Sequence, residues 1–345
     1  MPLATSPRRI LKSPLVDLLV GPHGIDRYLE LIRPELTIRD ARAEVVAVRR
    51  QTERSVTLTL RPNRAFTGFR AGQFVRVGFE IDGVRRSRTY SPASSESRVR
   101  RGFELTVTTH PDGLVSQWLV RNARPGTIVH LGEAQGEFVL PHERPERLVL
   151  ISGGSGITPV MSMLRTLHDE GLGDRVLFIH YARTAADWLY RDEAQLLAGE
   201  VRYVATREGG ERFAAGPELN GATVAVCGPL SLIDAVAAVV EPERLLSETF
   251  TPPTLAVTGD AADGTVRFVR SGVAAPISAG TLLEQAEAAG LTPEFGCRMG
   301  ICRTCKCRKS AGTVRNLLTG ELSDEEDEDI QLCISAPEGD VALDI

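Results

Sequence analysis

Four of the six cysteines in this 345-residue chain fall within eleven positions, in the stretch FGCRMGICRTCKC that runs from Phe295 to Cys307. Clustered thiols can hold zinc, cycle as a disulfide, or bind an iron–sulfur cluster. Cys297, Cys302 and Cys305 stand at C-x4-C-x2-C, and Cys333 follows after 27 intervening residues. That is the spacing of a [2Fe–2S] loop with three ligands close together and a fourth from a later segment. A four-cysteine zinc site more often comes as two C-x2-C knuckles, and here there is one such pair and a distant single cysteine. Gly296 and Gly300 let the loop fold back, so that backbone N–H groups can face cluster sulfurs. Cys307 is either a substitute ligand or a bystander on the strand leaving the loop. We read it as a bystander, because dropping Cys305 would destroy the spacing. Arg298, Arg303, Lys306, Arg308 and Lys309 form a basic rim around these thiols, which points to an acidic docking face on whatever takes electrons from the cluster.

A second set of residues has the chemistry of nucleotide binding. Gly153-Gly154-Ser155-Gly156-Ile157-Thr158-Pro159 follows an apolar run and opens a helical pattern. Glycines there allow the backbone to approach a pyrophosphate, and the helix N-terminus offers free N–H groups. Thr158 suits a capping position and Pro159 the first helical one. Cys227-Gly228-Pro229 repeats the strand-to-helix setting. Arg88-Thr89-Tyr90-Ser91 offers an Arg for phosphate, a ring for stacking and a hydroxyl for a heterocycle. Gly113-Leu114-Val115-Ser116 enters a further helix, a second phosphate-type N-terminus.

The elements that must position these residues change character along the chain. Residues 1–38 read as a helical arm, with apolar residues at helical spacing on either side of Gly21-Pro22. Residues 39–145 hold short alternating segments (EVVAVRR, SVTLTLRP, GQFVRVGFE, FELTVTTH, TIVHLGEA, GEFVLP), with turns at Asp82-Gly83 and Pro125-Gly126 among others. These predict an antiparallel β-barrel. Residues 146–248 alternate buried-type strands with helices, the pattern of an open parallel α/β sheet. Residues 249–253 form a linker. Residues 254–345 begin with a hairpin turning at Asp263-Gly264 and continue with the helix TLLEQAEAAG before the cysteine loop. The acidic run Asp324–Asp329 is expected as a solvated helix ahead of Cys333.

Composition narrows the class. The formal net charge is −5, so no global basic field points to nucleic acid as a partner. No run of apolar residues is long enough to span a bilayer. The N-terminal stretch lacks a signal-peptide cleavage pattern, and clustered thiols suit a reducing compartment. A cytoplasmic location is expected, with any membrane association made through a partner.

Taken together, the motifs resemble the ferredoxin–NADP reductase family. The shared features are RxYS in a barrel, the GxxS turn, GGxGxTP and CGP, and they run from about Ala43 to Phe250. Residues 254–345 resemble a plant-type ferredoxin domain of β-grasp fold, through FGCRxGxCxxC, AGTV and LSDEE…QLC. The order of domains is that of single-chain reductases serving oxygenases and desaturases.

The resemblance implies that Arg88, Tyr90 and Ser91 hold a flavin, that Ser91 meets its N5, and that Gly113, Val115 and Ser116 meet the FAD pyrophosphate. The GxxS turn favours FAD over FMN. Gly154, Gly156, Thr158 and Pro159 would bind the nicotinamide cofactor. Cys227, with Gly228 and Pro229, would lie near the nicotinamide ring, and Phe250 would shield the flavin. Arg207 and Arg212 sit where NADPH-using members hold the 2′-phosphate, with Arg183 and Arg191 nearby, so NADPH is expected over NADH. Cys297, Cys302, Cys305 and Cys333 would hold the cluster. The expected function is electron transfer from NADPH through FAD and [2Fe–2S] to a terminal oxygenase. A membrane diiron acyl-CoA desaturase is placed first. A Rieske or diiron oxygenase, an alkane hydroxylase, a P450, or a role as an electron-transfer or redox-sensing subunit without its own activity are the alternatives.

Overall fold

The computed structural model describes residues 37, 40–111, 113–250, 263–296, 298–301 and 303–345. The expected helical arm, the linker end and the first half of the expected hairpin fall outside this set. So do Cys297 and Cys302. Contacts divide the chain into two compact units, Met1–Thr251 and Pro252–Ile345.

The first unit opens with strands β1 (Arg42–Thr52), β2 (Ser55–Pro62), β3 (Phe74–Ile81), β4 (Val84–Tyr90) and β5 (Phe103–Thr108), then helix α1 (Leu114–Asn122) and strand β6 (Ile128–Gln135). They form one antiparallel sheet in the order β4-β3-β6-β1-β2-β5. A bridge between Pro92 and Leu105 links the two ends of that order and closes a barrel. Val56, Leu58, Phe79, Phe103 and Leu119 fill it, with Phe66 stacked on Phe103 at 5.4 Å. Asp82 and Gly83, both at positive φ (51° and 74°), make the tight turn that sets the β3–β4 register.

One expected barrel strand is replaced. GEFVLP is irregular backbone, and β4 takes the sixth place. Gly136, at φ 107°, turns the chain out of β6, and Phe138 and Leu140 bury themselves against the following helical layer instead.

That layer belongs to β7 (Leu148–Gly153), α2 (Ile157–Asp169), β8 (Val176–Ala182), α3 (Arg191–Leu197), β9 (Glu200–Ala205), β10 (Thr223–Cys227), α4 (Leu230–Ala237) and β11 (Leu245–Glu248). The strands are parallel, in the order β11-β10-β7-β8-β9. The order reverses between β7 and β10, and in open α/β sheets ligands bind at the carboxyl ends beside such a switch.

The second unit contains β12 (Thr265–Phe268), β13 (Val273–Pro276), α5 (Leu282–Ala288), β14 (Lys306–Asn316), β15 (Leu322–Ser323), β16 (Glu328–Gln331) and β17 (Ser335–Leu343). The mixed sheet runs β13-β12-β17-β14-β15, with β16 also paired to β14, and α5 packs on it in β-grasp fashion. A capping box between Thr281 and Glu284 starts α5, and Gly290 at φ 82° follows its end.

Two expectations change here. The hairpin partner of β12 is β13, whose turn lies after Phe268, and the other edge of β12 is taken by β17. The acidic run is not a helix. It turns at Asp327 (φ 56°) and enters β16, because its carboxylates lie across from the basic residues of β14.

Candidate active site

The sequence motifs converge on one seam of the first unit. β4 delivers Arg88 and Tyr90 on one face, two positions apart, and Ser91 follows at the strand end. Ser91 is 3% exposed and its Oγ has no hydrogen-bond partner among the described residues. A buried hydroxyl without a partner is unfavourable unless something else completes it. Tyr90 packs edge-on against Phe79. Burial, only slightly offset by Arg88, holds its phenol well above the usual range. Arg88 Nη1 donates to the carbonyl of Ser87 at 2.8 Å.

Across the seam, β7 ends at Gly153. A short 3-10 turn, Gly154–Gly156, leads into α2. Gly154 is at φ 57° with open space where a side chain would sit. Gly156 is pressed on Cys227, where a Cβ would fall 2.3 Å from the Cys227 carbonyl oxygen. Gly153 and Gly228 cross closely too, since a Cβ on Gly228 would lie 3.1 Å from the Gly153 nitrogen. Only glycines allow the two loops to share this crest. Thr158 and Pro159 are the second and third residues of α2 rather than its cap and first residue. The preceding 3-10 turn shifts the start, and Thr158 Oγ1 donates back to the Ser155 carbonyl at 3.3 Å. Pro159 still falls where a missing N–H leaves no helical bond unmade.

Cys227, the last residue of β10, is fully buried. Burial first, and then the neighbouring carboxyl of Glu248, hold its thiol well above the usual range, so it is neutral. Pro229 precedes the first residue of α4. Ala93, two residues beyond Ser91, packs in one cluster with Ile157 and Cys227, and Phe250 lies on the same cluster.

Glu248 is the residue that the sequence reading left unassigned. It pairs with Cys227 as the last residue of β11, and it points toward the barrel, where a Cβ on Gly136 would meet its Oε1 at 3.8 Å. Its Oε2 is buried without a partner among the described residues. Burial raises its pKa to about 8, so it carries a proton at neutral pH. In sequence it stands at the edge of a four-residue strand amid polar residues, with no motif to mark it.

The remaining candidates lie apart from this seam. α1 starts after Gly113, with no side-chain cap among the described residues. Ser116 Oγ accepts from the His110 N–H at 3.1 Å and donates to the Gly113 carbonyl at 3.0 Å. Val115 is buried in the barrel core, so only its backbone faces the helix end. At the other sheet edge, the Arg207 N–H donates to the Arg183 carbonyl at 2.9 Å. The side chains of Arg183, Arg207 and Arg212 are exposed there, and Arg191 stacks on Trp188 at 5.0 Å.

In the second unit, Cys305 and Cys333 are buried and meet, with the Cys333 N–H donating to Cys305 Sγ at 3.5 Å. Arg298, Gly300 and Arg303 all have positive φ (58°, 77° and 53°). Left-handed residues alternating with others turn backbone N–H groups to one side of a loop. Cys307 lies on β14 opposite Ile330, and its Sγ donates to the Arg308 carbonyl at 3.4 Å.

The basic rim is not the free cationic face that the sequence suggested. Arg298 pairs with Glu287 at 2.5 Å and Lys306 with Asp329 at 2.7 Å. Arg308 lies within 4.0 Å of Asp327 and Asp329. Lys309 is fully buried and donates to the Gly312 and Glu325 carbonyls at 2.8 and 2.5 Å. Arg303 is exposed and has no ion-pair partner among the described residues.

Comparison with known proteins agrees with this layout. The oxidoreductase FAD-binding domain family matches residues 44–140, the oxidoreductase NAD-binding domain family residues 150–216, and the 2Fe-2S iron-sulfur cluster binding domain family residues 269–338. An NADPH oxidoreductase of Mycobacterium tuberculosis is 38% identical, over 93% of this chain and 88% of its own. A glycine betaine monooxygenase reductase subunit of Pseudomonas aeruginosa is 31% identical, over 80% and 87%. The fold is shared with phthalate dioxygenase reductase (TM-score 0.61, 24% identity, 88% of this chain and 97% of that one). The chain therefore belongs to the ferredoxin reductase family of oxidoreductases, in the group that carries FAD-binding, NAD-binding and [2Fe–2S] domains on one polypeptide.

Proposed function

We propose that the chain takes electrons from NADPH and delivers them, through FAD and a [2Fe–2S] cluster, to a terminal oxygenase, with a membrane diiron acyl-CoA desaturase as the first acceptor to test. The observation that carries the reading is the seam itself. Two residues beyond the buried Ser91 hydroxyl, which lacks a partner among the described residues, Ala93 packs with Ile157, Cys227 and Phe250, beside the open Gly154 turn at the carboxyl ends of β7 and β10.

Bound FAD and the cluster supply the conversion of a two-electron donor into one-electron carriers. The side chains position these groups. Arg88, Tyr90 and Ser91 suit the flavin ring, its attached chain and a hydrogen bond at the ring. The start of α1, with Gly113, the Val115 backbone and Ser116, suits the FAD pyrophosphate. Gly154, Gly156, Thr158 and Pro159 form the cradle for the nicotinamide dinucleotide. Gly228, Pro229 and the neutral Cys227 line the space for its ring, and Phe250 covers the flavin side. Glu248 keeps a proton on its carboxyl at neutral pH beside that space. Arg207 and Arg212, joined by Arg183, favour a 2′-phosphate and so NADPH. Cys305 and Cys333, with Cys297 and Cys302, are the cluster ligands, and Cys307 stays a protonated thiol.

An oxygenase acceptor is supported by the reductase subunit of Pseudomonas aeruginosa named above. The desaturase is placed first on the resemblance of domain order and cofactor preference. Purified protein loaded with FAD and cluster is expected to reduce ferricyanide with NADPH faster than with NADH, and to support substrate turnover when a desaturase is added. A clear preference for NADH would overturn the cofactor assignment. Turnover with a soluble oxygenase but none with the desaturase would redirect the acceptor.

A further inference from the structure

We propose that Arg165 is a positioning residue that holds the nicotinamide cradle in register with the flavin-binding end of β4. The inference rests on the reading above and names what fixes the distance between its two sites. α2 begins at the glycine turn, and its 13 residues span about 20 Å. One face of it is polar rather than apolar: Ser162, Arg165, Thr166 and Asp169, at helical spacing. Each of these reaches the segment that follows Ser91. Ser162 Oγ donates to the Ser94 carbonyl at 2.7 Å, and the Glu96 N–H donates to Thr166 Oγ1 at 3.2 Å. Asp169 accepts from Arg98 Nε at 2.8 Å and from Ser97 Oγ at 3.0 Å.

Arg165 is the hub. Its Nη1 donates to the Ala93 carbonyl and to Glu104 on β5, both at 2.9 Å. Its Nε and Nη2 form a two-pronged pair with Glu193 on α3 at 2.7 and 2.8 Å. The guanidinium lies 5.1 Å from the ring centre of Tyr190. Tyr190 adopts φ 57°, rare for a bulky residue, and its hydroxyl bonds Thr106 on β5. One side chain, 14% exposed, thus ties α2 and α3 to the residue two beyond Ser91 and to the neighbouring strand.

Apolar packing closes one side of this seam, where Ala71, Phe138 and Leu140 join one buried cluster with Ile157, Met161 and Leu164 of α2. On the other side, an open groove of about 320 Å³ borders Ser94, Arg98, Glu104, Arg165 and Glu193. Along that side, registry between the two layers is carried by directed hydrogen bonds. A lysine could not replace them, since it lacks the planar fork that serves these four acceptors at once. Misplacement of reacting groups by about 1 Å can slow a reaction on the order of 100-fold.

The test uses full-length protein loaded with FAD and cluster. Arg165→Met, Arg165→Lys and the milder Ser162→Ala are mixed anaerobically with saturating NADPH while flavin bleaching is followed. Arg165→Met should keep its FAD and cluster spectra and bind NADPH within about threefold of wild type, yet reduce flavin about 10- to 100-fold more slowly. Arg165→Lys should fall between, and Ser162→Ala should slow by about threefold. The isotope effect with NADPH deuterated at C4 should rise in Arg165→Met, which a loss of stability alone would not produce. Wild-type rates in FAD-loaded Arg165→Met, or losses that track FAD content alone, would overturn the proposal. Failure of the wild type to bleach with either NADPH or NADH would instead overturn the functional reading beneath it.

Discussion

At the scale of single residues, Glu248 is the group whose chemistry departs most from its sequence context. A carboxyl normally titrates near 4.5, and burial moves this one to about 8. The consequence for stability has a definite sign. Between pH 4.5 and 8 the folded chain keeps a proton that the unfolded chain has released. The folded state therefore binds more protons, and stability falls as pH rises through that window, by up to about 1.4 kcal/mol per pH unit. Glu248→Gln keeps a neutral side chain of similar shape and removes the titration. Urea unfolding of wild type and variant at pH 5 and pH 8 should show the variant gaining on wild type as pH rises. If the difference stays constant across those pH values, Glu248 does not hold its proton. In flavin reduction by NADPH, the wild type should lose rate above pH 8 and the variant should not.

At the scale of elements, β8 carries a fully buried histidine that the central sheet holds against protonation. His180 is fully buried. Its Nδ1 lies 2.9 Å from Ser152 Oγ on β7, and its ring meets Tyr203 on β9 edge-on. Nε2 has no partner among the described residues. Burial lowers its pKa to about 3, against a small opposing effect of the Ser152 hydrogen bond. The unfolded chain takes up a proton near pH 6.5, whereas the folded chain resists until about pH 3. Stability is therefore lost as pH falls through this window. His180→Leu should lose about 1.5 kcal/mol less than wild type between pH 6.5 and pH 5. Equal losses in denaturant titrations would show that His180 plays no part.

The same elements show what the sequence could and could not reveal. β7, β8 and β10 were legible because strands buried on both faces read as continuous apolar runs. β4 was not, since Val84-Arg-Arg-Ser-Arg-Thr-Tyr90 has no apolar alternation. Its place comes from the Asp82-Gly83 turn and from pairing with β3. GEFVLP had the alternation of a strand, but its apolar residues serve the next layer. β11 is four residues long, too short to leave a period, and Glu248 was lost with it. The acidic run had helical composition, yet pairing of Arg308 with Asp329 and Lys306 with Gln331 along β14 and β16 overrides local preference. The glycine turn and Cys-Gly-Pro were readable as motifs. Their close crossing at Gly156 and Cys227 was not, because it depends on residues 71 apart in sequence.

At the scale of the whole molecule, the question is how electrons leave the second unit. A basic rim facing an acidic partner would make transfer strongly dependent on salt. The pairing of Arg298, Lys306 and Arg308 with carboxylates of the same unit, and the burial of Lys309, leave little of that field directed outward. Apolar groups are exposed beside the loop instead. Ile301 is 42% and Leu318 is 49% exposed. Leu318 packs on Gly300, where a Cβ would lie 3.2 Å from its Cδ1. Exposed apolar side chains next to a redox loop suit a contact whose affinity comes from desolvation at a few central residues. With a membrane desaturase as acceptor, Leu318→Asp should raise the KM for the acceptor about tenfold, or ~1.4 kcal/mol. NADPH-driven ferricyanide reduction, which needs no docking face, should be unchanged. Raising salt from about 50 to 300 mM should change acceptor transfer by less than about threefold, since the paired rim leaves few charges to screen. A steep salt dependence together with an unaffected Leu318→Asp variant would return the docking role to the charged rim, with Arg303 the first residue to replace.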